Sequence, residues 1–143
     1  RFIGDCLDAL ARQDYPDYEV IVIDDGSTDA TAEIAAHYDV NLVRTSNQGL
    51  SAARNEGLAR ATGEITAYID DDAFPDPKWL RYLVTTLLDG DHGAAGGPNI
   101  LIGSTSAAAA AVRPIRMRAP FPWIRRLASG RVTSAASMAD ATA

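Results

Sequence analysis

The sequence predicts an α/β domain whose sheet is mostly parallel and flanked by helices. Apolar, strand-like runs alternate with segments of helical period, and the connections between them are short. Two of the strands also end in runs of carboxylates, Asp24-Asp25 and Asp70-Asp71-Asp72. Alternating strands and helices build parallel sheets covered on both faces. Ligands of such sheets bind beyond the carboxyl ends of the strands.

Each element has its own warrant. Ile3, Cys6, Leu7 and Leu10 fall at i, i+3, i+4, i+7, the stripe of an amphipathic helix, which should stop before Tyr15-Pro16. "YEVIVID" (18–24) does not alternate, so it reads as a strand buried on both faces. A helix follows over about 28–38, with Thr31, Ile34, Ala35 and Tyr38 inward, and "VNLVRT" (40–45) is a short strand. Residues 49–61 make a helix with Leu50, Ala53, Gly57, Leu58 and Ala61 on its inner stripe. "EITAYID" (64–70) is the next buried strand. "PDPKWLRYLVTTLLDG" is a helix with Leu80, Leu83, Val84, Leu87 and Leu88 inward. Residues 94–102 read as one more strand, weakened by glycines. From Ser104 the pattern dissolves into an alanine run, three prolines and scattered arginines.

Bulk properties narrow the function. The 143 residues fit one domain, large enough to bury about two-thirds of its unfolded surface. A single cysteine excludes an intramolecular disulfide and, with only two histidines, a zinc cluster. Cys6 lies on the helix stripe and reads as a core thiol. No apolar run reaches the roughly 18 residues of a membrane span, and no signal-peptide pattern is present, so a cytoplasmic location is expected. Residues 1–103 carry 7 basic and 18 acidic side chains, a balance of −11, whereas 104–143 carry 6 arginines and one carboxylate, +5. An acidic body argues against nucleic-acid binding. Two regions follow: a body over 1–103, and a basic, low-complexity tail over 104–143 expected to be disordered. Its arginines interleave with Ile115, Met117, Phe121, Trp123 and Ile124. Contact with an anionic membrane surface is the alternative reading of that tail.

The acidic strand ends need a common cause. Two unit charges 4 Å apart repel by roughly 4 kcal/mol at an effective dielectric of 20, so carboxylates converging on one crevice call for a cation. Oxygen ligands suit Mg²⁺ or Mn²⁺. Strand alternation sends Asp70 and Asp72 to one side and Asp71 to the other, so one metal could meet the first and third. The plainer reading is that Asp-Gly-Ser-Thr-Asp forms a turn and helix cap through Thr28 or Asp29. The second acidic strand end weighs toward a shared site. Between them, "NQGLSAARNEG" (47–57) places Asn47 and Gly49 in a tight turn and Arg54 on the inward side of the helix. An arginine there is unusual without an anion to meet.

The blocks "VIVIDDGSTDAT" and "NQGLSAARNEGLARATGEITAYIDDDAFPDPKWL" closely resemble the inverting family 2 glycosyltransferases, over roughly residues 1–103. The resemblance implies a GT-A fold, Rossmann-like in its nucleotide-sugar binding, and transfer of a sugar from a nucleotide-diphosphate donor to a glycan, lipid or small-molecule acceptor with Mg²⁺ or Mn²⁺. By matching position it implies that Asp25 hydrogen-bonds the donor base and Asp24 supports that loop. Asp70 and Asp71 would face ribose and diphosphate, and Asp72 would be the metal ligand of the D-x-D pattern, with Asp70 beside it. Asn47, Gly49 and Arg54 would line the donor pocket.

The resemblance also implies a strand ahead of the first helix, lying between the two acidic strands, and an acceptor half with an acidic general base. Neither has a match between Arg1 and Ala143. The chain therefore reads as an incomplete, donor-binding part of such a domain, the alternative function being nucleotide-sugar binding without turnover. Without that first strand, the strands at 20–24 and 65–70 are expected to pair with each other or leave open edges. A phosphotransfer receiver also gathers aspartates at strand ends, but Lys78, the one lysine, follows Pro77 at the start of a helix.

Overall fold

The computed structural model describes residues 2–89, 92–97 and, as backbone, 132–138. The elements are α1 (Ile3–Ala11), β1 (Tyr18–Asp24), α2 (Thr31–Ala35), β2 (Asn41–Arg44), α3 (Leu50–Arg60), β3 (Ile65–Asp70), α4 (Trp79–Asp89) and β4 (Val132–Met138). The four strands form one parallel sheet in the order β2-β1-β4-β3, so the fold is α/β with a parallel sheet flanked by helices, as the alternation predicts. The chain divides into two compact units, Arg1–Leu80 with Ser129–Ala143, and Arg81–Ala128. The sheet and α1 to α3 belong to the first. α4 starts there with Trp79 and Leu80 and continues into the second, where Val84 is buried.

α1 forms where its stripe predicts. Ile3, Cys6, Leu7 and Leu10 are all buried, packed with Val22, Ala35 and Ile69. Burying each of the three large aliphatic side chains is worth about 1.5–3 kcal/mol. On the opposite face of the sheet Ala53 of α3 packs with Ile21, Ile23 and Val43. β1 is buried from Ile21 to Asp24, since helices cover both of its faces.

Several expectations are corrected. β3 is buried on one face only: Ile65, Ala67 and Ile69 are inside while Tyr68 is exposed, because β3 is an edge strand of the described sheet. α3 buries Ala53 and Gly57, but Leu50 and Leu58 are exposed. The helix meets the sheet along its small i, i+4 pair, which leaves Leu58 on the flank. Leu88 of α4 is likewise exposed. α2 is shorter than expected, because residues 27–30 form a turn in which Asp29 Oδ1 accepts from the Thr31 N–H at 3.0 Å. Residues 94–97 are not a strand, and the rest of the strand expected over 94–102 lies outside the described residues. So does the basic and aromatic run from Arg113 to Arg131.

The largest departure is β4. The sequence reading leaves 104–143 without regular structure, yet Val132–Met138 is a central strand, parallel to both neighbours. Nor do β1 and β3 pair with each other. β4 stands between them, with Asp24 opposite Met138 and Asp70 opposite Ser137. Two strand spacings therefore separate the acidic strand ends, about 10 Å of backbone.

Candidate functional site

All the described strands point their carboxyl ends the same way, which brings the loops after β1, β2 and β3 to one edge of the sheet. β1 runs into Asp24 and Asp25, both fully buried. Buried carboxylates survive only with partners, and each has a full set. Asp24 Oδ1 accepts from the Ser27 N–H at 2.9 Å, and Oδ2 from Arg44 Nε at 3.0 Å. Asp25 Oδ1 accepts from Thr45 Oγ1 at 2.5 Å and from the Gln48 N–H at 2.9 Å. Its Oδ2 accepts from the Gly49 N–H at 2.7 Å. Led by the Thr45 hydroxyl, these bonds hold the Asp25 carboxyl below the usual carboxylate range despite its burial.

The two loops are also packed against one another. Gly26 has φ +86°, and a Cβ there would lie 2.9 Å from the Asn47 backbone nitrogen, so only glycine fits. Asn47 has φ 40° and Gly49 φ 91°, left-handed conformations that turn the chain sharply from β2 into α3. Asn47 and Gly49, expected in a tight turn, are in one.

Arg54 meets a carboxylate, as its inward position predicts. Its guanidinium donates to Asp70 Oδ1 at 3.2 Å, with the Arg54 side chain 42% and the Asp70 side chain 61% exposed. Its Nε is buried with no hydrogen-bond partner among the described residues. Beyond Asp70, Asp71 is half-buried and Asp72 exposed. Burial pushes the Asp71 carboxyl up, and the nearby charges of Asp72 and Asp70 add to the rise against an opposing backbone hydrogen bond. Beneath this turn Cys6 Sγ donates to the Asp70 carbonyl at 3.7 Å. Burial, followed by the charges of Asp71, Asp72 and Asp70, pushes the thiol up to about 12. A buried thiol so rarely ionised is a poor nucleophile. Native protein at pH 8 should leave Cys6 unmodified by iodoacetamide over hours, while the urea-unfolded chain reacts within minutes; comparable rates in the two states would contradict its place in the core.

The carboxylates do not converge as the sequence reading expects. Among the described residues no three His, Cys, Asp or Glu side chains come close enough to hold a metal ion between them. Asp24 and Asp25 are committed to the loops, and β4 keeps them a strand away from Asp70–Asp72. Asp70 and Asp72 are exposed at the end of β3 and carry oxygen donors of the type a hard divalent cation takes.

Sequence reasoning overlooks three contributors. Thr45 and Arg44, at the end of β2, hold the paired aspartates. Gln13, buried after α1, donates from Nε2 to the carbonyls of Asp76 at 2.8 Å and Ala9 at 3.3 Å, and its Oε1 accepts from the Leu80 N–H at 3.2 Å. It thereby ties the segment after the acidic turn to α1. The signal was present: Gln13 continues the stripe of Cys6 and Leu10 at i+7 and i+3.

A parallel sheet flanked by helices, with acid-tipped strands at one edge, defines an α/β domain of the class that places ligands beyond the carboxyl ends of its strands. The family described as Glycosyl transferase family 2 matches residues 1–132, and the chain belongs to that family. Among curated relatives it is similar to glycosyltransferase AglE of Haloferax volcanii, 40% identical over 93 residues, covering 59% of this chain and 31% of AglE. It is 38% identical over 91 residues to the uncharacterized glycosyltransferase YibD of Escherichia coli, covering 60% of this chain and 26% of YibD. To the poly(ribitol-phosphate) beta-N-acetylglucosaminyltransferase TarS of Staphylococcus aureus it is 34% identical over 89 residues, 57% of this chain and 16% of TarS. The chain thus spans less than a third of the length of these relatives. No solved structure gives a significant match.

Proposed function

We propose that this chain carries the donor site of a sugar transferase that uses a nucleotide-diphosphate sugar with a divalent cation. The observation that supports it best is the arrangement at the sheet edge. The clamped loop 45–49 lies beside the end of β1, and Arg54 reaches across to Asp70 at the end of β3. The guanidinium suits an anionic nucleotide, and Asp70 and Asp72 would hold Mg²⁺ or Mn²⁺ with the donor's own phosphates. When bound, such an ion offsets the negative charge that gathers on the diphosphate as the sugar leaves, a contribution of several kcal/mol. Arg54 adds a second positive charge from this chain, and its pairing with Asp70 keeps the guanidinium in place before the donor arrives. A transferase in which the buried aspartates only brace the loop needs no third metal carboxylate.

Titration calorimetry with UDP- and GDP-sugars, with Mn²⁺ and then with EDTA, tests this reading. Binding should depend on the metal, and Asp72→Asn should weaken it at least tenfold while leaving the circular dichroism spectrum unchanged. Equal affinity with metal and with chelator would remove the cation from the reading. Absence of binding to either donor with Mn²⁺ would remove the donor site itself.

A further inference from the structure

We propose that Arg44 is a positioning residue: by neutralising Asp24 it holds the turn at the end of β1, with Asp25 in it, in the form that receives the donor. The inference deepens the donor-site reading and rests on it for its ligand. Asp24 and Arg44 are register partners at the ends of β1 and β2. The Asp24 side chain has no exposed surface, whereas that of Arg44 is 63% exposed. Arg44 Nε donates to Asp24 Oδ2 at 3.0 Å, and this is the one ion pair that reaches the carboxylate among the described residues. Most surface ion pairs contribute little, because water screens them. This one differs, since a buried carboxylate stripped of its cation is left as an uncompensated charge. Asp24 in turn holds two loops of the site. Its Oδ1 accepts from the Ser27 N–H at 2.9 Å, closing the turn around Asp25 and Gly26. Its carbonyl accepts from the Thr45 N–H at 2.9 Å, fixing the root of the 45–49 loop. Gly26 lies against Asn47 with no room for a Cβ between them, so a shift of Asp24 toward water would disturb both loops together. A turn ordered in advance spares the ligand the entropy of ordering it.

A double-mutant cycle separates an arginine that acts through Asp24 from one that touches the ligand. Arg44→Met removes the charge and keeps the stem. Asp24→Asn keeps an oxygen for the Ser27 N–H and needs no counter-charge. Calorimetry with UDP and Mn²⁺, on protein that remains folded, should find Arg44→Met about tenfold weaker than the wild type. The same substitution added to Asp24→Asn should change affinity by no more than about twofold, the difference being the coupling of the pair. Arg44→Lys, which keeps the charge, should recover most of the affinity. Hydrogen exchange followed by NMR reads the turn without any ligand. The Ser27 amide should exchange about tenfold faster in Arg44→Met, the loss of one charge-assisted restraint, beyond any global change read at Ile21–Ile23. If Arg44→Met does not fold, Arg44→Gln, which keeps a neutral donor, runs the same cycle. An equal loss of affinity in both backgrounds would overturn the positioning role and make Arg44 a ligand contact. Unchanged UDP affinity in Arg44→Met would overturn it as well, as would unchanged Ser27 exchange. If the wild type binds neither UDP nor GDP with Mn²⁺, the donor-site reading fails and the positioning role falls with it, while the hold of Arg44 on the turn stands or falls on Ser27 exchange alone.

Discussion

Replacing Asp25 with alanine should cost the fold about 3 kcal/mol or more, a large share of a typical domain's 5–15 kcal/mol. Alanine strands the Gln48 and Gly49 N–H groups and the Thr45 hydroxyl, all of which donate to this carboxylate, and it leaves a cavity at a fully buried position. The loss should also depend on pH. The Thr45 hydroxyl and the loop amides hold the folded carboxyl below its ordinary range, so the unfolded chain takes up the proton first as pH falls. The stabilisation is therefore complete above the unfolded pKa of about 3.9 and is lost as pH drops through the lower folded value. Urea midpoints at pH 7 and at successive steps down to pH 3 should show the gap between wild type and Asp25→Ala narrowing below about pH 4. A gap of constant size would mean that the ionised carboxylate contributes nothing beyond its volume.

What could be read in the sequence, and what could not, divides along a physical line. Periodicity reports apolar burial, so α1 and β1 were legible residue by residue: Ile3, Cys6, Leu7 and Leu10 are inside, and Ile21–Asp24 is buried throughout. The stripe of α3 misled at Leu50 and Leu58 because the closest approach to the sheet is made by Ala53 and Gly57, residues whose small size is the reason for that approach. β4 was illegible. "VTSAASM" neither alternates nor forms an apolar run, and its place in the sheet comes from two partners far earlier in the chain, β1 and β3. The acidic strand ends were conspicuous, but their number suggested one metal-centred cluster. In the structure each of the first pair is satisfied locally, Asp24 by Ser27 and Arg44, Asp25 by the 45–49 loop. The Arg54–Asp70 pair ties α3 to the acidic end of β3, a contact that the inward arginine, rather than the acids, announced.

The same line explains why Gln13 matters more than its position at the end of a helix stripe suggests. Its amide is buried and bonds to groups 63 and 67 positions away, the Asp76 carbonyl and the Leu80 N–H. Next to it the Asp14 N–H donates to the Pro77 carbonyl at 2.6 Å, so two successive residues pin the 76–80 segment. Gln13→Leu keeps the volume and removes every polar bond. It should cost about 2–4 kcal/mol, because two carbonyls and an N–H are left in a place water reaches poorly. A cavity cannot be the cause, since leucine fills the site. Hydrogen exchange at Leu80 and Asp14 should accelerate by more than the global loss of stability explains, while exchange at Ile21–Ile23 follows that global loss. The acidic turn lies between Asp70 and this anchored segment, so the variant should also bind UDP with Mn²⁺ more weakly under conditions where it remains fully folded. Unchanged stability in Gln13→Leu would show that the 76–80 segment is held by the Asp14 bond and the packing of Trp79 and Leu80 alone. Lost stability with unchanged UDP affinity would show that the acidic turn keeps its shape without the anchor behind it.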